Sequence, residues 1–63
     1  MKNNLKNFRK VIGLSQEELA NKCGVTRQTI SAIENNKYSP TLQLAFNIAT
    51  ILEVKVDELF INE

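Results

Sequence analysis

Residues 15–35 read SQEELANKCGVTRQTISAIEN, and their punctuation decides the fold. Ser15 followed three residues later by Glu18 forms a capping box: the hydroxyl accepts from the backbone of the third helical residue, and the carboxylate reaches back to the cap. A helix is therefore expected to begin after Ser15, bury Leu19, Ala20 and Cys23, and stop at Gly24, which takes the left-handed conformation of a helix end most cheaply. Thr26 then caps a further helix that runs through Ile30 and Ile33 to about Asn35. Two short helices joined by a tight glycine-containing turn result.

Outward from this pair the same punctuation recurs. Towards the N-terminus, about Asn4 to Val11 places Leu5, Phe8 and Ile12 on one helical face and ends before Gly13. After the pair, Asn36 to Pro40 reads as a loop, because Pro40 cannot continue a helix and disfavours helical geometry at Ser39. A fourth helix, capped by Thr41 or Ser39, reaches about Leu52, and Val56 to Phe60 makes a last short one. No segment alternates with period two over a useful length, so residues 1–63 are expected to form a single all-α domain of five helices. A short strand pairing of the two chain ends is neither required nor excluded.

Composition narrows the function. A chain of 63 residues leaves little room for an enclosed catalytic cavity. It has no histidine and one cysteine, Cys23, at a core position, so an intramolecular disulfide, an ordinary zinc site and a paired nucleophile and base are all missing. No cofactor, metal or small-molecule ligand is expected, and no enzymatic activity. No stretch is long and apolar enough for a bilayer, and the N-terminus lacks a secretory apolar run, so a cytoplasmic location without membrane association is expected.

The net charge of +1 conceals a segregation. Residues 1–37 carry seven basic side chains against three acidic ones, whereas residues 38–63 carry one basic against four acidic. This suits one face turned towards a polyanion. On the third helix Ile30 and Ile33 define the inner side. The opposite side holds Gln28, Ser31, Ala32 and Asn35, with Arg27 at its N-terminal margin and Thr29 on the shoulder, and no acid points outward. A guanidinium, amides, hydroxyls and a small Ala match the groups of the major groove, where Arg pairs with guanine, Gln with adenine, and methyl groups meet thymine. Double-stranded DNA is the expected partner.

The run Gly13-Leu14-Ser15-Gln16-Glu17-Glu18-Leu19-Ala20, then Gly24-Val25-Thr26-Arg27-Gln28-Thr29-Ile30-Ser31 and Ile33-Glu34-Asn35, resembles the Cro/cI-type (XRE) family of phage and bacterial repressors. Lys37 to Leu42 and Val54 to Phe60 extend the likeness over nearly the whole chain. The resemblance implies a compact five-helix lambda-repressor-like DNA-binding domain, with the helix-turn-helix at helices 2 and 3, that represses transcription as a homodimer on a near-palindromic operator. It implies base contacts by Arg27 and Gln28, with Thr29 and Ala32 as methyl or close-approach positions. Phosphate contacts are implied for Gln16, Asn35 and Lys37, and for Tyr38 unless it serves in packing; Ser31 suits either duty and is placed with the phosphate set. Arg9 and Glu34 are implied as a partly buried structural ion pair. Asn36 stands where the family often has glycine, and Lys55 where a Ser cap is usual, so the last helix is expected to fray.

On the fourth helix the core arc is expected to hold Leu42, Ala45, Phe46, Ala49 and Leu52. The apolar stripe continues beyond it, and Leu44 and Ile51, with Val54 or Ile61, are expected to form a self-complementary dimer patch. A two-fold dimer would place its reading helices about 34 Å apart, one turn of DNA. The rival reading is an antitoxin or adaptor module that uses its exposed apolar face and acidic C-terminal half to grip a partner protein.

Overall fold

The computed structural model of the chain describes residues 2–61. Five helices follow one another: α1 (Leu5–Ile12), α2 (Gln16–Cys23), α3 (Arg27–Glu34), α4 (Leu42–Leu52) and α5 (Val56–Leu59). They are bracketed by two short strands, β1 (Lys2–Asn3) and β2 (Phe60–Ile61), paired antiparallel with Lys2 opposite Ile61 and Asn3 opposite Phe60. The chain ends do form a strand pair, and Phe60, expected in the last helix, belongs to it.

Local chemistry sets most boundaries. Ser15 and Glu18 make both halves of the capping box: Glu18 N–H donates to Ser15 Oγ at 3.0 Å, and Ser15 N–H donates to Glu18 Oε1 at 2.9 Å. Thr26 and Thr41 cap α3 and α4 by accepting from the N–H groups of Thr29 and Leu44 at 3.2 Å each. At α5 Lys55 has no oxygen to offer, so only half a box is made, with Lys55 N–H donating to Glu58 Oε1 at 3.0 Å.

The first four helices end alike. Residues Gly13, Gly24, Asn36 and Glu53 adopt positive φ (88°, 72°, 60° and 58°). After each, the next N–H turns back to a carbonyl five residues earlier: Leu14 to Arg9, Val25 to Ala20, Lys37 to Ala32 and Val54 to Ala49, at 2.9–3.0 Å. This is the Schellman closure, which satisfies carbonyls that the helix leaves open.

A single core collects Leu5, Leu19, Ile30, Ile33, Ile48 and Leu59, all essentially inaccessible to solvent. Helix α2 packs on both α3 and α4, and α4 packs on α1 and α5. The face α4 turns inward differs from the sequence expectation. Leu44 is only 8% exposed and joins Ala45, Ile48, Ala49 and Leu52 in the core, whereas Leu42 and Phe46 are 70% and 51% exposed. Leu44 is therefore removed from the dimer patch. The apolar arc of α4 is wider than the part that fits inside, and its neighbours, not its own pattern, choose which part is buried. Ile51 and Val54 are half-buried against the core and Ile61 is exposed.

Candidate nucleic-acid interface

The link between α2 and α3 is Gly24-Val25-Thr26, closed at Gly24 and reopened by the Thr26 cap. The inner stripe of α3, Ile30 and Ile33, is fully buried, which fixes the rotation of the helix about its axis. Its other side then faces outward. Arg27, Gln28 and Asn35 are exposed, and Thr29, Ser31 and Ala32 are half-buried. Among the described residues, Arg27 and Gln28 make no side-chain hydrogen bond or ion pair, so both remain available to a ligand. The Thr29 hydroxyl is shared with that of Thr26 at 3.1 Å and belongs to the cap, leaving its methyl group to serve any contact.

Glu34 is the one acid on α3, and its placement matters most for a polyanion. Arg9 Nε donates to Glu34 Oε2 at 2.7 Å, Arg9 Nη2 to Oε1 at 3.3 Å, and Gln16 Nε2 to Oε1 at 3.0 Å. Both charged side chains are nearly inaccessible, and Arg9 Nη1 also donates to the Leu14 carbonyl at 2.8 Å. The acid is turned inward, neutralised and tied to α1 and α2, so the outer face of α3 carries no negative charge. Desolvation of two charges offsets much of their attraction, so a buried pair of this kind need not add net stability, whereas loss of one partner strands the other.

The Gln16–Glu34 bond brings the first residue of α2 against the last residue of α3. It places Gln16 close to the loop that follows. Among the described residues, the N–H groups of Gln16 and Glu17 in the first turn of α2 meet no acceptor, whereas that of Glu18 is taken by the Ser15 cap. Beyond α3, Lys37 and Tyr38 are exposed, and Asn35 Nδ2 makes a long 3.4 Å contact to Ser31 Oγ. The spacing of residues in the sequence gives no hint of the Gln16–Glu34 bond, which depends on how α2 crosses α3.

Cys23 is half-buried against the core, and that burial pushes its thiol pKa up, away from the reactive thiolate. Elsewhere on the surface an open groove of about 530 Å³ is lined by Phe46, Ala49, Val54, Val56 and Phe60, with Thr50, Lys55 and Asp57 at its polar edges. Sequence patterning missed this groove because it placed Phe46 inside. Among the described residues, no helix is long and apolar enough to cross a membrane.

Comparison with known proteins agrees with this geometry. Residues 5–59 match the helix-turn-helix family model. An uncharacterised HTH-type transcriptional regulator of Methanocaldococcus jannaschii is 56% identical over 63 residues, covering all of this chain and 96% of that protein. The restriction-modification controller protein C.AhdI of Aeromonas hydrophila superposes with a TM-score of 0.82 at 33% identity, covering 90% of this chain and 83% of its own. The N-terminal DNA-binding domain of SinR from Bacillus subtilis superposes with a TM-score of 0.77 at 37% identity, covering 84% and 78%, and SinR is also known in complex with DNA. With its capped α2, its glycine turn and an outer face of α3 free of acids, the chain belongs to the XRE-type helix-turn-helix family of DNA-binding transcriptional regulators.

Proposed function

We propose that the protein is a sequence-specific repressor that binds a near-palindromic operator as a homodimer, with α3 lying in the major groove. The observation that carries this reading is the outer face of α3, where Arg27 and Gln28 are exposed and unbonded while its one acid is sequestered by Arg9. Arg27 and Gln28 read base edges, and Thr29 and Ala32 allow close approach or methyl contact. Gln16 at the open start of α2, with Ser31, Asn35, Lys37 and Tyr38, grips phosphates on either side of the groove. The protein acts in the cytoplasm by occupying DNA, without catalysis.

The dimer patch in this reading is the α4–α5 groove. Of the residues expected from the sequence Val54 lines it, Phe46 is gained and the buried Leu44 is omitted, while Ile51 and Ile61 lie outside its lining. Lys55 and Asp57 both line the groove, so it carries charges of both signs, which two copies of the surface can pair across a two-fold axis.

Selection of bound duplexes from a random pool tests the assignment. Arg27→Ala or Gln28→Ala should weaken the selected site by about 1–3 kcal/mol per protomer and relax preference at one or two base pairs. An unchanged preference would remove α3 as the reading element. A second reading, an adaptor that grips a partner protein, is favoured by the same groove; SinR has been solved in complex with a second protein, SinI. Sedimentation of the purified chain separates the two, since a monomer without DNA affinity supports the adaptor.

A further inference from the structure

Asn3 carries none of the signals that single out a functional residue in the sequence, yet its amide joins distant parts of the chain. Its Nδ2 donates to the Ile33 carbonyl at 2.8 Å and to Asn36 Oδ1 at 3.1 Å, 30 and 33 residues further on. Its Oδ1 accepts from the N–H of Leu5, the first residue of α1, at 3.1 Å. The Asn3 backbone sits opposite Phe60 in the β1–β2 pair. One side of the residue is thus anchored by a strand and a helix start, and the other reaches the end of α3.

The end of α3 is where an anchor has an effect. Asn36 occupies the left-handed position of the Schellman closure, which residues other than glycine take at a cost, although asparagine tolerates it best. That turn sets the direction in which Lys37 and Tyr38 leave the helix. Among the described residues, the side chain of Lys37 makes no bond, and its backbone is fixed through the Lys37 N–H to Ala32 carbonyl bond that the turn permits. With glycine at position 36 the turn would need no external partner. With asparagine, the Asn3 amide holds both its side chain and the carbonyl of Ile33.

We propose that Asn3 is a positioning residue for DNA binding: its amide fixes the Asn36 turn so that Lys37 and Tyr38 are preset towards the phosphates flanking α3. This rests on the reading of Lys37 as a phosphate contact. A preset loop loses less conformational freedom on binding, so Asn3 acts on affinity through Asn36 and not through a base. The two hydrogens of the amide are the chemically required feature, since the two atoms they meet are both acceptors.

Binding of the full chain to its selected duplex, measured over a range of salt concentrations, tests this with wild type, Asn3→Ala, Lys37→Ala, the double variant and Asn36→Gly. Circular dichroism first sets a temperature at which every variant is folded. Asn3→Ala should weaken binding about five- to tenfold, lower the salt slope by part of the roughly one unit that Lys37→Ala removes, and leave base preference unchanged. In the Lys37→Ala background its effect should shrink markedly, because the two residues act on one contact. Asn36→Gly removes the acceptor without touching β1, and in that background Asn3→Ala should likewise have little further effect. If Lys37→Ala lowers the slope but the Asn3→Ala and Lys37→Ala losses simply add, the positioning role is overturned and the phosphate reading stands. If Lys37→Ala leaves the slope unchanged, both are overturned. Should Asn3→Ala fail to fold, Asn36→Ala decides, since it removes the Oδ1 acceptor, leaves β1 untouched and still needs its left-handed turn held: an unchanged affinity and slope overturns the proposal.

Discussion

The two halves of this small domain are held by different kinds of interaction. Helices α2 and α3 are placed by directional groups: a complete capping box at Ser15, a threonine cap at Thr26, a glycine closure at Gly24, and the Arg9–Glu34–Gln16 network. Helices α4 and α5 are held mostly by apolar burial through Leu44, Ile48, Leu52 and Leu59, with one threonine cap, half a capping box and a left-handed Glu53 where glycine would be cheaper. On α3 the directional contacts add to the buried stripe of Ile30 and Ile33, and both define which side chains face outward. On α4 and α5 burial acts with fewer directional partners and leaves an apolar groove open to solvent.

The sharpest way to break this contrast is at Glu34. Removing it by Glu34→Ala leaves the guanidinium of Arg9 buried without its anion, and denaturant melts should show a loss of about 3 kcal/mol. The double change Arg9→Met with Glu34→Leu should cost far less, and if it does not, the pair contributes net stability and not only placement. On the apolar half, Leu44→Ala should cost about 2–5 kcal/mol, as a core truncation does, whereas Leu42→Ala should stay within about 0.5 kcal/mol. Equal effects would show that the buried face of α4 has been misplaced.

The helix ends sharpen the comparison at smaller scale. A Cβ at Gly24 would meet nothing within 4 Å, so the cost of Gly24→Ala is backbone strain alone, about 1–2 kcal/mol in the same melts. Glu53→Gly should move the other way, a gain of about 1 kcal/mol or less, because the left-handed strain is relieved there. The smallest effect belongs to pH. The backbone N–H of Ser15, and next its hydroxyl, hold the exposed Glu18 carboxyl below the usual carboxylate value. Its folded-state pKa is lowered, so the contribution is complete above the ordinary carboxylate range and fades as pH falls through the folded value. A melting series into acid should therefore show a component that Glu18→Gln abolishes.

How far the sequence could be read follows the same division. The starts of α2 and α3 and the stop at Gly24 were legible because each rests on groups within a few residues of one another. The outward set of α3 was legible as well, since Ile30 and Ile33 alone orient an eight-residue helix. On α4 periodicity alone puts Leu42 and Phe46 inside and Leu44 outside, the reverse of the packed structure, because an apolar arc wider than the core does not mark its own centre. Asn3 carries no local signal for a related reason, its partners lying 30 and 33 residues away.

Local order in the chain was enough, then, to dictate five helices, the caps at Ser15 and Thr26, the stop at Gly24 and an outer face of α3 free of acids, because capping and helical periodicity act over three to five positions. Only the packed structure decided which side of α4 is buried, that the chain ends pair as strands, that Gln16 bonds Glu34, and that Asn3 steadies the turn after α3. Each of these depends on the crossing of elements far apart in sequence, where the geometry is set by competition for one small core.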